Sequence, residues 1–357
     1  MNREQLLLLC EHGHTAPSAD NTQPWHFIVT SNKINITYDT DRVAGKTFPP
    51  DSLATLLSIG SVIEAICIAC ETYRINYSLA LHPELADTSN GYACFTFEEH
   101  VSGFFTDKKN NPLSPRHTNR LAFKALKIDS IIINNIISAA TTSEKNIQWI
   151  DSKQGIKKIA RLIQSASRVR FQTPEVHQWL MQSLRFKTRG DYEDGLHIST
   201  LDLPPMGAAF MRFITPWKRI NWLNKLAMYK LMAFIEALPL NKAPGIMALQ
   251  CKNTSASRLQ LGRQLFQVWL ELNKLGLAIH PYFVITDQLL RLQSNSVPEH
   301  LIEQVKTIEK ETTDLFNLTA EESLCMLLRV GYPTKQAIRS RRLNLADVVT
   351  IKTNLTP

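Results

Sequence analysis

The sequence predicts an α+β fold in which two related lobes are joined in one chain as a fused dimer. Residues 53–66 carry apolar side chains on nearly every face, which predicts a buried central helix. A second long apolar helix over residues 262–277 repeats this pattern. The order of helix, polar loop, Gln, Trp and strand occurs around Trp25 and again around Trp149. Two copies of the same order of elements in one chain favour an intramolecular dimer, in which the two lobes pack as two subunits would.

The first lobe is predicted to span residues 1–110. A short helix ending near Cys10 should lead through a polar loop into a hairpin, and Asp51 is the expected N-cap of the central helix. The composition of residues 108–112 is typical of a linker. The strands of this lobe are predicted over residues 27–30, 34–38, 76–81 and 92–98.

The second lobe is predicted to span residues 111–357, with a helix over 131–140 and a strand over 147–150. An insertion at about 203–240 alternates aromatic, apolar and basic residues. It predicts amphipathic helices that form a lid over a pocket, because prolines bracket it as hinges. The less favoured alternative is a basic amphipathic segment, residues 206–235, that contacts a membrane surface.

Charge and cysteine usage limit the classes of function. The 357 residues carry a net charge of +8, which favours anionic partners such as phosphorylated cofactors, nucleic acid or membranes. No nucleic-acid motif is present, so a nucleic-acid partner is not expected. The pair Cys67 and Cys70 has CxxC spacing but lies in an apolar helical run without a second ligand pair, so no metal site is predicted. The first residues lack a signal-peptide pattern, and we expect a cytoplasmic protein.

A polar loop over residues 16–27 is the first candidate for ligand binding. Pro17 and Pro24 restrict the backbone at its two ends, and short polar side chains lie between them. This pattern indicates either a ligand-facing loop or a simple helix-to-strand connection. The short polar side chains are those of Ser18, Asp20, Asn21 and Gln23.

Two arginine clusters are the second candidate. Arg116 and Arg120 flank Thr118, so two guanidinium groups and a hydroxyl at this spacing can bind a phosphate. Residues 339–342 contain three further arginines. Each cluster alone is typical of a solvated basic face, whereas the two together suit a phosphorylated cofactor.

The loop residues Ala16 to Phe27 resemble the polar NxQPW loop of the FMN-dependent nitroreductase superfamily. Residues 115–123 are similar to the phosphate-gripping motif of that family, and residues 275–282 resemble the stretch whose backbone faces the flavin ring. Residues 328–333, with the basic tail that follows, resemble the closing strand. The order of these motifs and the insertion resemble the single-chain, two-lobed branch that includes the mycobacterial Acg-type flavoproteins.

The resemblance implies a nitroreductase-like fold with FMN between the lobes. It places the phosphate at the arginines and the polar loop at the flavin, with a backbone N–H near the ring that stabilises negative charge on reduced flavin. No residue stands out as a catalytic acid or base. The implied cofactor-binding residues are Ser18, Asn21, Gln23, Arg116, Thr118, Arg120, Pro281, Tyr282 and either Arg341 or Arg342.

The same resemblance implies an oxidoreductase that takes electrons from NAD(P)H and passes them to a nitroaromatic, quinone or similar small-molecule acceptor. The alternative is a protein that sequesters FMN or senses redox state, with little turnover because the lid covers the flavin. We expect one FMN per chain, because residues 1–5 and the loop before Trp149 lack the motifs that a second site would need. The chain is expected to be a monomer with pseudo-dimeric lobes or a further homodimer.

Overall fold

The computed structural model describes residues 1–46, 48–82, 91–98, 111–141, 146–186 and 193–352. Short 3-10 turns aside, the helices and strands up to residue 141 are α1 (Arg3–Gly13), β1 (Trp25–Val29), β2 (Lys33–Tyr38), α2 (Thr40–Val43), α3 (Leu53–Tyr73), β3 (Tyr77–Leu81), β4 (Ala93–Phe97) and α4 (Ser130–Ala140). Those after residue 146 are β5 (Ile147–Ile150), α5 (Lys153–Arg170), α6 (Pro174–Ser183), β6 (Leu184–Arg185), β7 (Leu196–His197), α7 (Gly207–Ile214), α8 (Trp217–Asn224), α9 (Met228–Ala237), β8 (Gly245–Lys252), α10 (Ser255–Lys274), β9 (Ala278–Tyr282), α11 (Val284–Gln293), α12 (Ile302–Phe316), β10 (Glu322–Gly331) and β11 (Val349–Ile351).

The strands form two main sheets with related connectivity. One sheet has the order β11-β1-β2-β4-β3, and the other has the order β5-β8-β10-β9. Each sheet has two strands before its long helix, β1 and β2 before α3 and β5 and β8 before α10. In each, the next two strands follow that helix, and the second of them lies inside the sheet: β4 between β2 and β3, and β10 between β8 and β9. The parts of the chain that form these two sheets, which we call the two halves, therefore share one order of elements. The second half carries insertions between β5 and β8 and between β9 and β10.

The long helices α3 and α10 pack against each other at the centre of the molecule. A Cβ added at Gly60 would lie 2.1 Å from the carbonyl oxygen of Leu259, and one at Gly262 would lie 2.5 Å from that of Leu57. Only glycine permits so close an approach. The contact is reinforced by Ser61, whose hydroxyl donates to the carbonyl of Gly262 at 3.0 Å.

The predicted central helix is confirmed as α3, with one correction at its start. Its N-cap is Ser52, whose hydroxyl accepts from the amide of Thr55 at 3.2 Å, and not Asp51. Among the described helices, α3 alone is long and apolar enough to cross a membrane, and 94% of that apolar stretch is buried inside the protein. The helix is hydrophobic all round because protein surrounds it on all sides.

The remaining predicted elements lie close to the observed ones, except that the second long helix, predicted over 262–277, is α10 and runs from Ser255 to Lys274. The hairpin, the later strands and the helix over 131–140 are confirmed, although β1 begins at Trp25 rather than Phe27. Residues 203–240 are largely helical and form α7, α8 and α9. Most of the predicted linker, 108–110, and most of the loop before Trp149, 142–145, lie outside the described residues.

The C-terminal strand returns to the first sheet. β11 pairs in parallel with β1, with Phe27 opposite Val349. Residues 332–348, which connect β10 to β11, therefore run from one half of the molecule to the other. This path brings the basic tail next to the loop that precedes β1.

Candidate functional site

A cavity of about 790 Å³ lies where the two halves and the insertion meet. Its size falls within the range of about 300–1,000 Å³ that is common for small-molecule sites. Small residues of α3, Ser58 and Ser61, form part of its wall and leave room in the centre. The other walls come from residues 15–21, 111–120, 280–284 and 339–342, from α10, and from the insertion.

The loop before β1 reaches the cavity in a restricted conformation. Asp20, Asn21 and Gln23 have φ angles of 49°, 56° and 53°, in the left-handed region that few residues other than glycine adopt. Such a conformation needs support from its surroundings. The hydroxyl of Ser18 supplies part of it by accepting from the amide of Gln23 at 2.9 Å. The sequence predicted a rigid loop here from its prolines, and the left-handed backbone is an additional feature.

Gln23 supports the loop and does not line the cavity. Its side chain is fully buried, donates to the carbonyl of Glu193 at 3.1 Å, and accepts from the amide of Leu343 at 3.0 Å. Asn21 does line the cavity, and it donates to the carbonyl of Arg341 at 3.1 Å. Both Asn21 and Gln23 therefore hold the basic tail, and of these two only Asn21 also lines the cavity.

Arg342 lines the cavity but directs its guanidinium at the loop. The five N–H groups of an arginine can donate five hydrogen bonds, and all five have acceptors in this chain. Arg342 therefore acts first as a structural clamp between the tail and the loop. Its acceptors are the side chain of Asn21 and the main-chain carbonyls of His14, Thr15, Ala16 and Arg341.

His14 strengthens the same clamp. Its Nδ1 accepts from the indole N–H of Trp25 at 2.9 Å, so the neutral ring carries its proton on Nε2 and donates to the carbonyl of Leu343 at 2.9 Å. Burial, with the positive charge of Arg342 nearby, lowers the pKa of His14 to about 4. The ring is neutral at physiological pH, as this hydrogen-bonding pattern requires.

Arg116 is a buried cation without an acidic partner among the described residues. Burial and the positive charges of Arg342 and Arg339 lower the pKa of Arg116 well below its ordinary value. Its Nε is buried and has no hydrogen-bond acceptor within the described part of the chain. The guanidinium lies 5.6 Å from the ring centre of Trp269. Arg339 also lines the cavity, so one end of the cavity concentrates positive charge.

The segment that carries Arg116 is held by three neighbouring elements. The carbonyl of His117 accepts from Trp269 of α10 at 2.9 Å, and the amide of Asn119 donates to β9 at 2.8 Å. The main chain of Arg120 accepts from the buried Arg329 of β10 at 3.2 Å. Although the segment is irregular, these contacts give it a fixed position beside the cavity.

Arg120 has an acidic neighbour, Asp20, whereas the charged neighbours of Arg116 are Arg342 and Arg339. Burial lowers the pKa of Arg120, and the carboxylate of Asp20 partly offsets this effect. Burial raises the pKa of Asp20, which also accepts from the hydroxyl of Ser183 at 3.1 Å. Beside them, the rings of His280 and Tyr282 are tilted by 45° with their centres 4.4 Å apart, and Nδ1 of His280 is buried without a partner in the described structure. Burial, with the nearby positive charges of Arg329 and Arg120, lowers the pKa of His280 well below its ordinary value.

A mixed aromatic and acidic wall completes the cavity near the insertion. Phe48 and Trp179 meet edge to face, with ring centres 5.3 Å apart. Asp287 accepts from Arg291 at 3.3 Å, and burial raises the pKa of Asp287. Apolar residues of α7 and α9 line the same region.

The structure brings together eight of the ten predicted site residues, which are Ser18, Asn21, Arg116, Thr118, Arg120, Pro281, Tyr282 and Arg342. Gln23 and Arg341 lie outside the cavity wall. Sequence reasoning missed the roles of Arg339, Asp20 and Asp287, although the first two belong to motifs that it singled out. Asp287 follows β9 by five residues and carried no signal of its own. No cluster of metal-ligating side chains occurs within the described ranges.

Comparison with known proteins gives distant relatives. No family model matches the chain. The chain is 19% identical over 336 residues to Uncharacterized protein MT1398 of Mycobacterium tuberculosis (strain CDC 1551 / Oshkosh), a match that covers 92% of this chain. The chain spans about half the length of that relative, 46%.

Similar solved structures are FMN-dependent nitroreductases and related flavoproteins that cover about two thirds of this chain. A nitroreductase with bound FMN from Bacteroides fragilis NCTC 9343 matches with a TM-score of 0.39 and 10% identity, over 69% of this chain and 100% of that chain. The FMN-dependent nitroreductase NfnB from Mycobacterium smegmatis, in complex with NADPH, has a TM-score of 0.39 and 16% identity, over 68% and 97%. Oxidized iodotyrosine deiodinase bound to FMN and 3-iodo-L-tyrosine has a TM-score of 0.35 and 14% identity, over 65% and 94%.

Proposed function

We propose that this chain is an FMN-binding oxidoreductase of the nitroreductase type, with the flavin in the cavity between its two halves. The observation that carries the proposal is the buried guanidinium of Arg116. A buried cation beside Arg339 and Arg342, without an acid among the described residues, needs an anionic ligand to offset its desolvation. A phosphate supplies that charge and accepts bidentate hydrogen bonds.

The remaining lining residues fit the rest of the cofactor. Thr118 and Arg120 follow Arg116 on the same anchored segment, and Ser18 and Asn21 approach from the opposite loop. Pro281 has no amide hydrogen, so the main-chain donor expected near the flavin ring must come from a neighbouring residue. Within the tail we assign phosphate binding to Arg339 rather than to Arg341 or Arg342. The N–H groups of Arg342 already donate hydrogen bonds to acceptors of the chain itself, most of them in the loop.

Different residues of the protein would then bind the phosphate, position the loop and receive the acceptor. Arg116, with Arg339, would hold the phosphate, and the clamp formed by Arg342 and His14 would keep the loop in place. Held by these residues, a flavin would supply the chemistry of hydride transfer from a nicotinamide donor and of electron transfer to an acceptor. The aromatic side chains Phe48 and Trp179 would receive a flat acceptor and exclude water from the site.

We further propose that the two halves are a fused dimer with one flavin site. The shared strand order supports this fusion. If Gly60 and Gly262 are equivalent, Ser61 in the wall of the cavity corresponds to Arg263 in the other half. Arg263 donates to the buried Glu64 at 2.8 Å, and this ion pair would then occupy the equivalent position. The proposed lobes are 1–110 and 111–357, with the C-terminal strand added to the first sheet and 203–240 as the lid.

The test begins with the flavin content of the purified chain. We expect about one FMN per chain after reconstitution, and a value near two would contradict the single-site proposal. Arg116→Gln should lose most of the bound FMN, whereas Arg161→Gln, at an exposed position on α5, should retain it. Equal retention by both variants would remove the phosphate assignment.

Anaerobic mixing with NADH and with NADPH tests the oxidoreductase activity. Loss of flavin absorbance within seconds, followed by reoxidation with a quinone or a nitroaromatic compound, is the expected result. A spectrum that stays unchanged over many minutes would instead support a protein that sequesters FMN beneath the lid. We expect the protein to work in the cytoplasm, where both nicotinamide donors are present.

A further inference from the structure

The insertion has a second, outward surface that the flavin site does not use. Eight of the fourteen exposed large apolar side chains of the described residues lie between positions 206 and 238. We call this surface the outer face. Met206 is 80% exposed, Leu226 is 70% exposed, and Trp222 is 60% exposed. So dense a group of exposed apolar side chains marks an interaction surface.

Part of the outer face is an apolar stripe along α9. Leu231 and Phe234 on α9 and Leu238, directly after its end, recur at spacings of three and four and are all exposed, whereas Ala233 and Ala237 are buried against the protein. The spacing places the exposed apolar side chains on one side of the helix. The apolar stripe of α9 therefore points away from the core.

Exposed basic residues are interspersed with these apolar side chains. Between residues 203 and 242 the sequence has six basic residues and one acidic residue, Glu236. Glu236 is paired with Arg170 at 2.5 Å, so it does not offset the outer charge. The guanidinium of Arg219 lies 5.1 Å from the ring centre of Phe213. The basic residues, all exposed, are Arg212, Lys218, Arg219, Lys225, Lys230 and Lys242.

We infer that the outer face docks on the surface of an anionic phospholipid bilayer. Apolar and aromatic side chains would enter the boundary between headgroups and acyl chains, while the lysines and arginines contact lipid phosphates. A protein partner fits less well, because lysine is depleted from the centre of protein interfaces. Here Lys225 and Lys230 directly precede the exposed Leu226 and Leu231 in the chain, so basic and apolar side chains alternate along the insertion.

The position of the outer face relative to the cavity gives the docking a consequence. Ile235 of α9 is 43% exposed and also contributes to the cavity wall. Met232 of α9 and Phe210 of α7 line the cavity as well. A docked protein would hold the apolar end of its cavity next to the bilayer. The docking itself does not depend on the flavin, so it can be tested apart from the proposed function.

The test is flotation of the full-length chain with unilamellar vesicles. Vesicles that contain phosphatidylglycerol should carry the protein upward at low salt, and pure phosphatidylcholine vesicles should carry much less, because the basic residues need anionic headgroups. The double variant Trp222→Asp, Leu226→Asp should lower binding about tenfold or more, since it removes two apolar contacts and adds two repelled charges. Both positions are solvent-exposed, so the fold and the helical content should remain unchanged.

Ile131→Asp, Ile132→Asp is the matched double control. Ile131 and Ile132 are 66% and 39% exposed on α4, outside the insertion, so the same loss of two apolar side chains and the same added charge should leave flotation unchanged. Equal losses in the control and the double variant would overturn the assignment, as would a wild-type chain that stays at the bottom with anionic vesicles. A wild-type dimer in light scattering that the double variant converts to a monomer would show that the face binds a second copy instead.

Discussion

Replacing Arg116 with Met should stabilise the free protein and weaken FMN binding. Removing a buried charge that has no counter-ion among the described residues should raise the free energy of unfolding by on the order of 2 kcal/mol. Loss of the contact with Trp269, 5.6 Å from the guanidinium, offsets about 0.5–1 kcal/mol of this gain. The expected net stabilisation of the flavin-free protein is about 1 kcal/mol.

The effect of the same substitution on the cofactor should have the opposite sign. A buried, charge-assisted contact is worth about 2–5 kcal/mol, so the Kd for FMN should rise by a factor of roughly 30 to several thousand. Binding of riboflavin, which lacks the phosphate, should change much less. Urea unfolding of the flavin-free protein measures the first effect, and quenching of flavin fluorescence measures the second.

The two signs together distinguish a ligand site from a structural arginine. If Arg116 served the fold, Arg116→Met would destabilise the flavin-free protein and weaken FMN and riboflavin binding equally. That outcome would refute the reasoning. Arg161→Met, at an exposed position, is the control and should change neither quantity.

Three further predictions concern the support of the site. His14 has a folded pKa of about 4 against an ordinary 6.5, so it contributes stability that is present above pH 6.5 and lost as the pH falls toward 4. Urea unfolding should therefore show that this residue lowers the free energy of unfolding by about 2 kcal/mol between pH 8 and pH 5. His14→Gln should remove this pH dependence, whereas His300→Gln, at an exposed site, should not. Arg342→Lys should expose the loop over residues 15–23 to faster amide exchange and weaken FMN binding, because one ammonium cannot replace five directed donors; unchanged exchange would argue against the clamp. Gly262→Ala should lower the free energy of unfolding by more than about 3 kcal/mol, because its Cβ would lie 2.5 Å from the carbonyl oxygen of Leu57. If the urea midpoint changed only slightly, α3 and α10 would have to be able to separate.

Local patterns in the sequence were enough to predict most elements. The apolar run of α3, the hairpin of β1 and β2 and the strand at Trp149 follow from periodicity and turn chemistry, which act over a few residues. The N-cap was misplaced by one position because both Asp51 and Ser52 are good caps. Only the geometry of the first turn decides between them.

The candidate site was predictable where short motifs carry chemistry. The loop around Asn21 and the cluster around Arg116 were identifiable from residue types and their resemblance to known motifs. The assignment of Arg342 could not be made in this way, because Arg339, Arg341 and Arg342 are chemically alike and differ only in where the chain aims them. Asp287 reaches the cavity from a helix whose sequence has no binding signature.

The amino-acid sequence is enough to identify the groups that this protein carries: a polar loop, two arginine clusters, two long apolar helices and a basic amphipathic insertion. Their roles follow only from the way the chain folds. The path of the tail back to β1 turns Arg342 into a clamp, burial turns Arg116 into a cation in need of an anion, and the docking of α9 separates an inner wall from an outer face. Burial and direction depend on contacts between residues far apart in the chain, and no local pattern contains them.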